Sequence, residues 1–314
     1  MGNVLAVPTD ASTTRGAVID PFWSMVATET LRTPRESGPD KVTHAVPTLA
    51  DRLARRHGPV ATAGLVVSGR VDEGLGVIRR SPSIGRRDVR IAPMLRERVG
   101  APVVLDCAVR ASALAESMCG NGHEDFVFVR LGTGATAALV STGPVIPTVA
   151  EWPGDIGHLP IGPNGRTCTC GSNRCPESYA TAPAIARLHA RASGKPATTG
   201  QVVARAARGD AIARRVWNDA VQAPADGIAA TASILDNEVI VSGGGLAESG
   251  RSPFVPLHKR LDRRFPGKRA PTVVRSALGP STAMLGAAIR ARQSRKNTHV
   301  LSSESANASP RPVG

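Results

Sequence analysis

Apolar and polar residues alternate along this chain in two patterns, one typical of buried strands and one typical of amphipathic helices. Short apolar runs predict β-strands over 4–7, 16–20, 61–67, 102–105, 126–131, 137–140 and 239–241. Helical spacing predicts α-helices over 49–56, 92–99, 108–119, 177–192, 204–234 and 283–292. Strands and helices mixed in this way predict an α/β fold with sheets covered by helices. The polar, serine-rich segment 293–314 lacks periodicity and predicts a disordered tail.

The composition is that of a globular protein. Hydrophobic residues make up 41% and charged residues 20% of the 314 residues, a length sufficient for one large or two ordinary domains. No apolar stretch approaches the roughly 18 residues that a membrane span needs, and the N-terminus lacks the regions of a secretory signal. Ala6 stands where N-myristoylation requires Ser or Thr. We therefore expect a cytoplasmic protein without a membrane partner.

The net charge of +14 raises the question of a nucleic-acid partner. The basic residues are spread along the chain, aromatic residues make up only 3%, and the sequence shows no recognisable nucleic-acid-binding motif. The basic runs at 86–90 and 260–265 have the composition of solvated faces. The sequence therefore favours no nucleic-acid partner through this chain alone.

Three of the five cysteines lie close together in the sequence. Cys168, Cys170 and Cys175 follow His158, and one His with three Cys is a common ligand set for tetrahedral structural zinc. Gly171 relieves the crowding that follows the Cys-x-Cys pair. This clustering suits metal ligation better than disulfides in a reducing compartment, although three buried thiols beside an unrelated His are an alternative. Because four protein ligands leave no position for water, we predict a zinc ion that organises the loop rather than performing chemistry.

The surroundings of these ligands resemble the ROK (repressor, open reading frame, kinase) family. The family pattern is Glu-x-Gly-His, a spacer, Cys-x-Cys-Gly-x-x-x-Cys and x-Glu, and this chain has Asp-Ile-Gly-His at 155–158 and Glu177 two residues after the last cysteine. The resemblance implies that Asp155, His158 and Glu177 contact the hydroxyl groups of a sugar or sugar phosphate. Asp155 is one methylene shorter than the family's Glu, so its contact is expected to be lost or made through water.

The resemblance extends over residues 4–290. It covers a strand and turn at 61–76, a closing helix segment around 277–288, and two glycine turns similar to nucleotide-binding loops, which are weak motifs alone: Gly132, Thr133, Gly134, Gly243, Gly244 and Gly245. It implies a two-lobed, actin-like ATPase (ribonuclease H-like) fold with sugar and nucleotide in a cleft. The implied lobes are 1–107 and 108–292, with the zinc loop at 158–175. ROK proteins are commonly dimers or tetramers, which implies a homo-oligomer.

The segment that carries the catalytic base in ROK kinases is altered. Alignment of 113–116 with the family's Ala-Leu-x-Glu puts Ala108 at the catalytic Asp and Arg110 at the second Asn of Asn-Asp-x-Asn. Ala108 has no proton acceptor. Asp106 lies two residues earlier, about 6.6 Å along an extended strand, so it replaces the base only if the chain bulges or shifts in register. Otherwise Asp106 is a helix-capping or loop carboxylate.

The first phosphate loop is altered as well. The family's Asp-x-Gly-Gly-Thr corresponds here to Pro-Thr-Asp-Ala-Ser at 8–12, so Pro8 replaces a magnesium-positioning carboxylate. Asp10 and Ala11 replace glycines that allow backbone amides to approach phosphate, and Asp10 adds a negative charge. Ser83 stands where the family often has a sugar-contacting Asn. ATP and magnesium are therefore expected as ligands only if kinase activity is retained.

Three functions remain open. The favoured hypothesis is a regulatory, kinase-deficient ROK protein that binds sugar and lacks the family regulators' N-terminal winged helix, because the first strand begins at Val4. The second is an ATP-dependent kinase of a hexose or N-acetylated amino sugar with a displaced base. The third is a non-catalytic oligomeric scaffold, which predicts no sugar binding.

Overall fold

The computed structural model describes residues 2–10, 13–33, 37–81, 85–147, 154–162, 164–249 and 254–306. The chain forms two compact units, one of Met1–Ala111 with Ala283–Gly314 and one of Ser112–Thr282. The start of the second unit lies close to the predicted lobe boundary at 107/108. Residues 283–292 pack with the first unit, however, whereas the sequence groups them with the second lobe.

The first unit is built around a five-stranded sheet in the order β3-β2-β1-β4-β8. Strands β1, β4 and β8 are parallel, while β2 and β3 are antiparallel extensions at one side. The strands span β1 Val4–Thr9, β2 Thr13–Ile19, β3 Met25–Arg32, β4 Thr62–Val67 and β8 Val103–Cys107. Parallel strands with both faces covered require continuous apolar runs, and every residue of β1 and β4 is buried.

Further strands and helices complete this unit. An antiparallel sheet contains β5 Arg70–Asp72, β6 Val77–Ser81 and β7 Arg86–Val89. The helices are α1 Pro39–His57, α2 Ile91–Val99, α3 Ala108–Cys119, which crosses into the second unit, and α9 Thr282–Ala306.

Two glycines set the position of α9. A Cβ on Gly64 of β4 would lie 2.0 Å from the carbonyl oxygen of Ala287, and a Cβ on Gly286 would lie 2.0 Å from that of Ala111. Only glycine permits backbones to approach so closely. The helix therefore packs directly against β4 and the start of α3, which explains why it belongs to the first unit.

The second unit contains a four-stranded sheet in the order β10-β9-β11-β12. Strands β9, β11 and β12 are parallel, and β10 forms an antiparallel hairpin with β9. The strands span β9 Phe126–Leu131, β10 Ala135–Val140, β11 Val239–Gly243 and β12 Thr272–Arg275. The helices of this unit are α4 Glu177–Ala180, α5 Ala182–Ser193, α6 Thr199–Ala207, α7 Ala211–Leu235 and α8 Phe254–Asp262. Side chains of α5, α6, α7 and α8 share one apolar core with β9 and β11.

The predicted α/β fold is confirmed, and strand β9 and helix α3 have the predicted bounds. Helix α9 extends to Ala306, so part of the segment predicted to be disordered is helical, while 307–314 lie outside the described residues. Among the described residues, no helix is long and apolar enough to span a bilayer.

Candidate metal centre and ligand site

The structure brings together the four predicted metal ligands of the second unit. One ligand atom from each of His158, Cys168, Cys170 and Cys175 lies within 4.8 Å of all the others. Nδ1 of His158 is 3.4 Å from Sγ of Cys168, and Sγ of Cys170 is 3.6 Å from Sγ of Cys175. Around a tetrahedral zinc with Zn–S bonds of about 2.3 Å, neighbouring ligand atoms lie about 3.5–3.8 Å apart. The donor set and its spacing therefore fit zinc.

A tight turn produces this geometry. The backbone N–H of Gly171 donates to the carbonyl of Cys168, and the N–H of Cys168 donates to the carbonyl of Ser172. Gly171 has a φ of +96°, which glycine adopts without the strain that a Cβ would cause. The sulfur atoms of Cys168 and Cys170 thereby face the same centre, and Cys175 closes the loop.

The thiols of this cluster differ in acidity. Burial raises the pKa of Cys175 to about 12, and the neighbouring sulfur atoms act in the same direction. At Cys170 burial also acts to raise the pKa, but the backbone amide of Ser172 and the neighbouring thiols outweigh it and lower the pKa to about 7. One thiolate is therefore available near neutral pH, and a bound cation would favour deprotonation of the others.

The predicted sugar contacts lie beside the metal ligands. Asp155 and Glu177 flank the cluster in sequence, and Nε2 of His158 lies 3.5 Å from Oε1 of Glu177. The side chains of His158 and Glu177 are 26% and 25% exposed, so both remain accessible to a ligand. The backbone N–H of His158 donates to the carbonyl of Asp155 at the start of a single 3₁₀ turn. Because Nδ1 of His158 faces the cysteines, its Nε2 is the nitrogen that can meet Glu177 or a ligand.

Glu177 also reaches the first glycine turn. Its Oε2 accepts a hydrogen bond from the backbone N–H of Ala135 at 3.1 Å. A Cβ on Gly134 would lie 3.3 Å from the same oxygen. A single carboxylate thus connects the metal-ligand loop to the turn between β9 and β10.

The two glycine turns predicted to bind nucleotide are neighbours at the carboxyl ends of β9 and β11. Gly244 has a φ of +87°, and a Cβ there would lie 2.4 Å from the carbonyl oxygen of Leu131. A Cβ on Gly132 would lie 3.8 Å from the backbone nitrogen of Gly245. The members of the two turns are Gly132, Thr133, Gly134, Gly243, Gly244 and Gly245. Ligands of parallel α/β sheets commonly bind at this edge, so the turns stay a candidate nucleotide site.

In the first unit, Ala108, which the family pattern predicts at the position of the catalytic base, is buried. Ala108 is the first residue of α3 and is 4% exposed. Asp106, at the penultimate position of β8, is 3% exposed, and its Oδ1 accepts the backbone N–H of Cys107 at 2.7 Å. Its Oδ2 lies 2.8 Å from Nε of Arg290, and its Oδ1 lies 3.6 Å from Nε of Arg110.

Glu73 completes an ionic cluster with these residues. Its carboxylate lies 2.5 Å from Nη2 of Arg110 and 2.7 Å from Nη2 of Arg290. Burial and the charge of Asp106 raise the pKa of Glu73, while the two guanidinium groups oppose the shift. Both oxygens of Asp106 thus have partners within its own unit, and β8 has no bulge at this residue in its pairing with β4.

Sequence reasoning found Asp106 and Arg110 but missed Glu73 and Arg290. Asp106 is the penultimate residue of β8 and Arg110 is the third residue of α3, so the two lie close together in the chain. Glu73 follows a short strand and Arg290 lies on the last helix, so only the fold brings them near.

The structure describes the predicted first phosphate loop as far as Asp10. Pro8 lies within β1, opposite Val66 of β4, and the side chain of Asp10 accepts the backbone N–H of Thr13 at 2.9 Å. Asp10 therefore caps the turn that follows its own strand. Ala11, Ser12 and Ser83 lie outside the described residues.

Comparisons with known proteins agree with these observations. The profile of the ROK family matches residues 5–294. The glucokinase of Streptomyces coelicolor is 26% identical over 315 residues, covering 93% of this chain and 98% of that protein. The crystal structure of a ROK family glucokinase from Streptomyces griseus in complex with glucose and AMPPNP is 25% identical, with a TM-score of 0.81, and covers 93% of this chain and 100% of its own.

A regulator shares the architecture too. The crystal structure of a ROK family transcriptional regulator, a homolog of the E. coli MLC protein, has a TM-score of 0.75 at 21% identity. It covers 92% of this chain and 78% of its own, and at that identity the likeness shows the fold alone. The fold is the actin-like ATPase fold of ROK sugar kinases. Because the family profile matches nearly the whole length of this chain, the chain belongs to the ROK family.

Proposed function

We propose that this chain is a regulatory ROK protein that binds a sugar or sugar phosphate and does not transfer a phosphoryl group. The observation that carries the proposal is the pair Ala108 and Asp106. Ala108 stands at the position of the family's general base, and the nearest carboxylate in sequence, Asp106, is buried and paired with arginine.

The chemistry of a sugar kinase explains why this pair matters. A general base must lie within about 3 Å of the hydroxyl whose proton it accepts, and it contributes about 10²- to 10⁴-fold to the rate. Ala108 offers no acceptor, and moving Asp106 toward a substrate would leave Arg290 without a buried partner. Pro8 in place of a magnesium-positioning carboxylate further supports weak binding of Mg²⁺ and ATP.

Sugar binding is supported by the second unit. Asp155 lies three residues before the metal ligand His158, and Glu177 lies two residues after the metal ligand Cys175 and beside the His158 ring. Carboxylates accept hydrogen bonds from sugar hydroxyls, and an imidazole nitrogen accepts or donates one according to its tautomer. In this proposal, zinc on His158, Cys168, Cys170 and Cys175 supplies structural order, and the side chains recognise the ligand.

Titration calorimetry and a coupled kinase assay together test the proposal. We expect heat of binding with at least one of glucose, mannose, N-acetylglucosamine, N-acetylmannosamine or their 6-phosphates, and loss of that heat in Glu177→Ala. We expect no ATP consumption above the protein-free rate with any of the unphosphorylated sugars. Sugar-dependent ATP turnover in the wild type would refute the kinase-deficient assignment. Absence of binding throughout the panel would favour an oligomeric scaffold instead.

Kinase activity with a displaced base is the second candidate. Its support is the similarity to the Streptomyces coelicolor glucokinase over 93% of this chain. If Asp106 is the base, Asp106→Asn abolishes turnover while preserving the shape of the side chain. Turnover that survives Asp106→Asn would exclude this role for Asp106.

A further inference from the structure

Three consecutive helices of the second unit carry basic side chains that are scattered in the sequence. Residues 182–217 include α5, α6 and the first turns of α7, and Asp210 is the only acidic residue among them. Asp210 is the N-cap of α7, where its Oδ1 accepts the backbone N–H of Ala213 at 2.7 Å. The basic residues, named here the α5–α7 basic cluster, are Arg187, Arg191, Lys195, Arg205, Arg208, Arg214 and Arg215.

Packing of the helices places the segments that carry these side chains next to one another. Helices α5 and α6 both pack against α7. Arg187 and Arg191 are four residues apart on α5 and therefore share a face. Nη1 of Arg205 on α6 lies 3.5 Å from Nε2 of the buried His189 on α5, so α6 lies beside α5 as well as beside α7. Apart from the half-buried Arg205, every member of the cluster is exposed.

The cluster differs from other arginines of the same unit. Arg264 pairs with Asp226, and Arg275 pairs with Glu248. Within the described part of the chain, no member of the α5–α7 basic cluster forms an ion pair. Unpaired like charges on adjacent helices repel one another and raise the local positive potential, which attracts polyanions. The fold thus places on three adjacent helices and their connections a charge that the sequence distributes over the 36 positions of 182–217.

We infer that the α5–α7 basic cluster binds the phosphate backbone of double-stranded nucleic acid without reading its sequence. Six of the seven side chains are arginines, whose planar guanidinium groups bind phosphate through two parallel hydrogen bonds. The only aromatic residue in the segment, Trp217, is 8% exposed. Single-stranded nucleic acids bind largely by stacking bases on exposed aromatic rings, so a surface without them fits the backbone of a duplex. Duplex binding by the α5–α7 basic cluster does not require the sugar-binding role proposed above.

Fluorescence anisotropy with a labelled 30-base-pair DNA duplex, over a series of salt concentrations, tests the inference. We expect a dissociation constant of about 1–100 µM at about 0.1 M salt, typical of non-specific binding, and steep weakening as salt rises. The test variant combines Arg191→Ala, Arg208→Ala and Arg214→Ala. It should bind at least ten-fold more weakly than wild type, and its plot of log affinity against log salt should be shallower by about 2 to 3.

A control variant separates local charge from total charge. Arg56→Ala, Arg96→Ala and Arg98→Ala remove three exposed arginines from the first unit, so both variants lose the same three charges from the wild-type +14. The control should lose less than two-fold in affinity. Equal losses in the two variants would overturn the inference, as would absence of duplex binding by the wild type at 50 mM salt. Binding of inorganic polyphosphate without any binding of the duplex would also overturn it. Circular dichroism melting verifies that both variants are folded.

Discussion

Oδ2 of Asp106 lies 2.8 Å from Nε of Arg290, a contact that joins the end of β8 to the last helix of the first unit. Glu73 contacts both Arg290 and Arg110, so two carboxylates and two guanidinium groups form a closed cluster. Asp106 and Arg110 each lie two residues from Ala108, the predicted position of the family's base. We therefore expect Asp106 to stabilise its unit, since moving its carboxylate toward a substrate would break these contacts.

Substitution of Asp106 should lower stability much more than that of an exposed aspartate. Asp106→Ala leaves Arg290 and Arg110 without their most buried partner, and breaking a buried ion pair costs about 3–5 kcal/mol. Because the arginine side chains are 27% and 17% exposed, we expect a smaller loss, about 2 kcal/mol in the free energy of unfolding. Urea denaturation measures it.

The matched control for this substitution is Asp51→Ala. Asp51 pairs with Arg55 one turn along α1, and the Arg55 side chain is 78% exposed. Exposed pairs of this kind contribute little to stability, so the midpoint of urea unfolding should not move measurably. Equal effects of the two substitutions would show that the Asp106 cluster is not a stabilising element.

The sequence predicts helices and strands where local pattern and packing agree. Helix α3 and strand β9 have apolar runs that their tertiary neighbours also require, and their predicted bounds are those observed. Helix α1 begins at Pro39, ten residues before its predicted start at 49. Proline normally interrupts a helix, but α1 continues through Pro47, which is buried. An interior proline costs a hydrogen bond, and burial of the flanking Val46 and Leu49 offsets that cost.

The residues of the candidate site likewise fall into two groups, those that local sequence predicts and those that only the fold brings together. The metal ligands are close in sequence, so spacing alone predicts their convergence, and Glu177 follows from the family pattern. Glu73 and Arg290 are distant in sequence from Asp106 and lie in segments without a motif. Long-range ionic contacts of this type depend on strand order and on the close approach of α9 to Gly64, which no local pattern encodes.

Zinc should be bound at one ion per chain and should stabilise the second unit. Elemental analysis of protein purified from zinc-supplemented cells measures the content, and scanning calorimetry measures the effect of a chelator. Because metal binding contributes to the free energy of folding, removal of zinc by the chelator should lower the melting temperature of the protein by about 5 °C or more. Cys170→Ser should reproduce the loss of zinc, whereas Cys119→Ser, at an exposed cysteine outside the cluster, should retain the metal. Zinc well below stoichiometry in the wild type would contradict the site.

Glycine is required at position 157, between the candidate sugar contacts Asp155 and His158. A Cβ there would lie 2.3 Å from the carbonyl oxygen of Ala135, a backbone atom that cannot move independently of β10. Gly157→Ala should therefore destabilise the protein by about 1–3 kcal/mol, as overpacking typically does, and should abolish sugar binding by displacing His158.

Gly200→Ala in α6 is the control, since a Cβ there meets nothing within 4 Å. It should leave stability unchanged or raise it by up to about 1 kcal/mol. A stable Gly157→Ala protein with unaltered sugar affinity would contradict the proposed arrangement.

Cys107, next to Ala108, should be inert toward alkylation at neutral and mildly alkaline pH. Burial, followed by the negative charge of Asp106, raises its pKa to about 12. At pH 8 only about one thiol in ten thousand would then be ionised, and the thiolate is the reactive form. A raised folded-state pKa stabilises the protein fully below the unfolded value near 8.5, and this contribution is lost as pH rises through about 12. Treatment with iodoacetamide at pH 8, followed by peptide mass spectrometry, should therefore show the exposed Cys119 labelled and Cys107 unlabelled until the protein is unfolded. Labelling of Cys107 at the rate of Cys119 in the folded protein would show that the end of β8 is open to solvent.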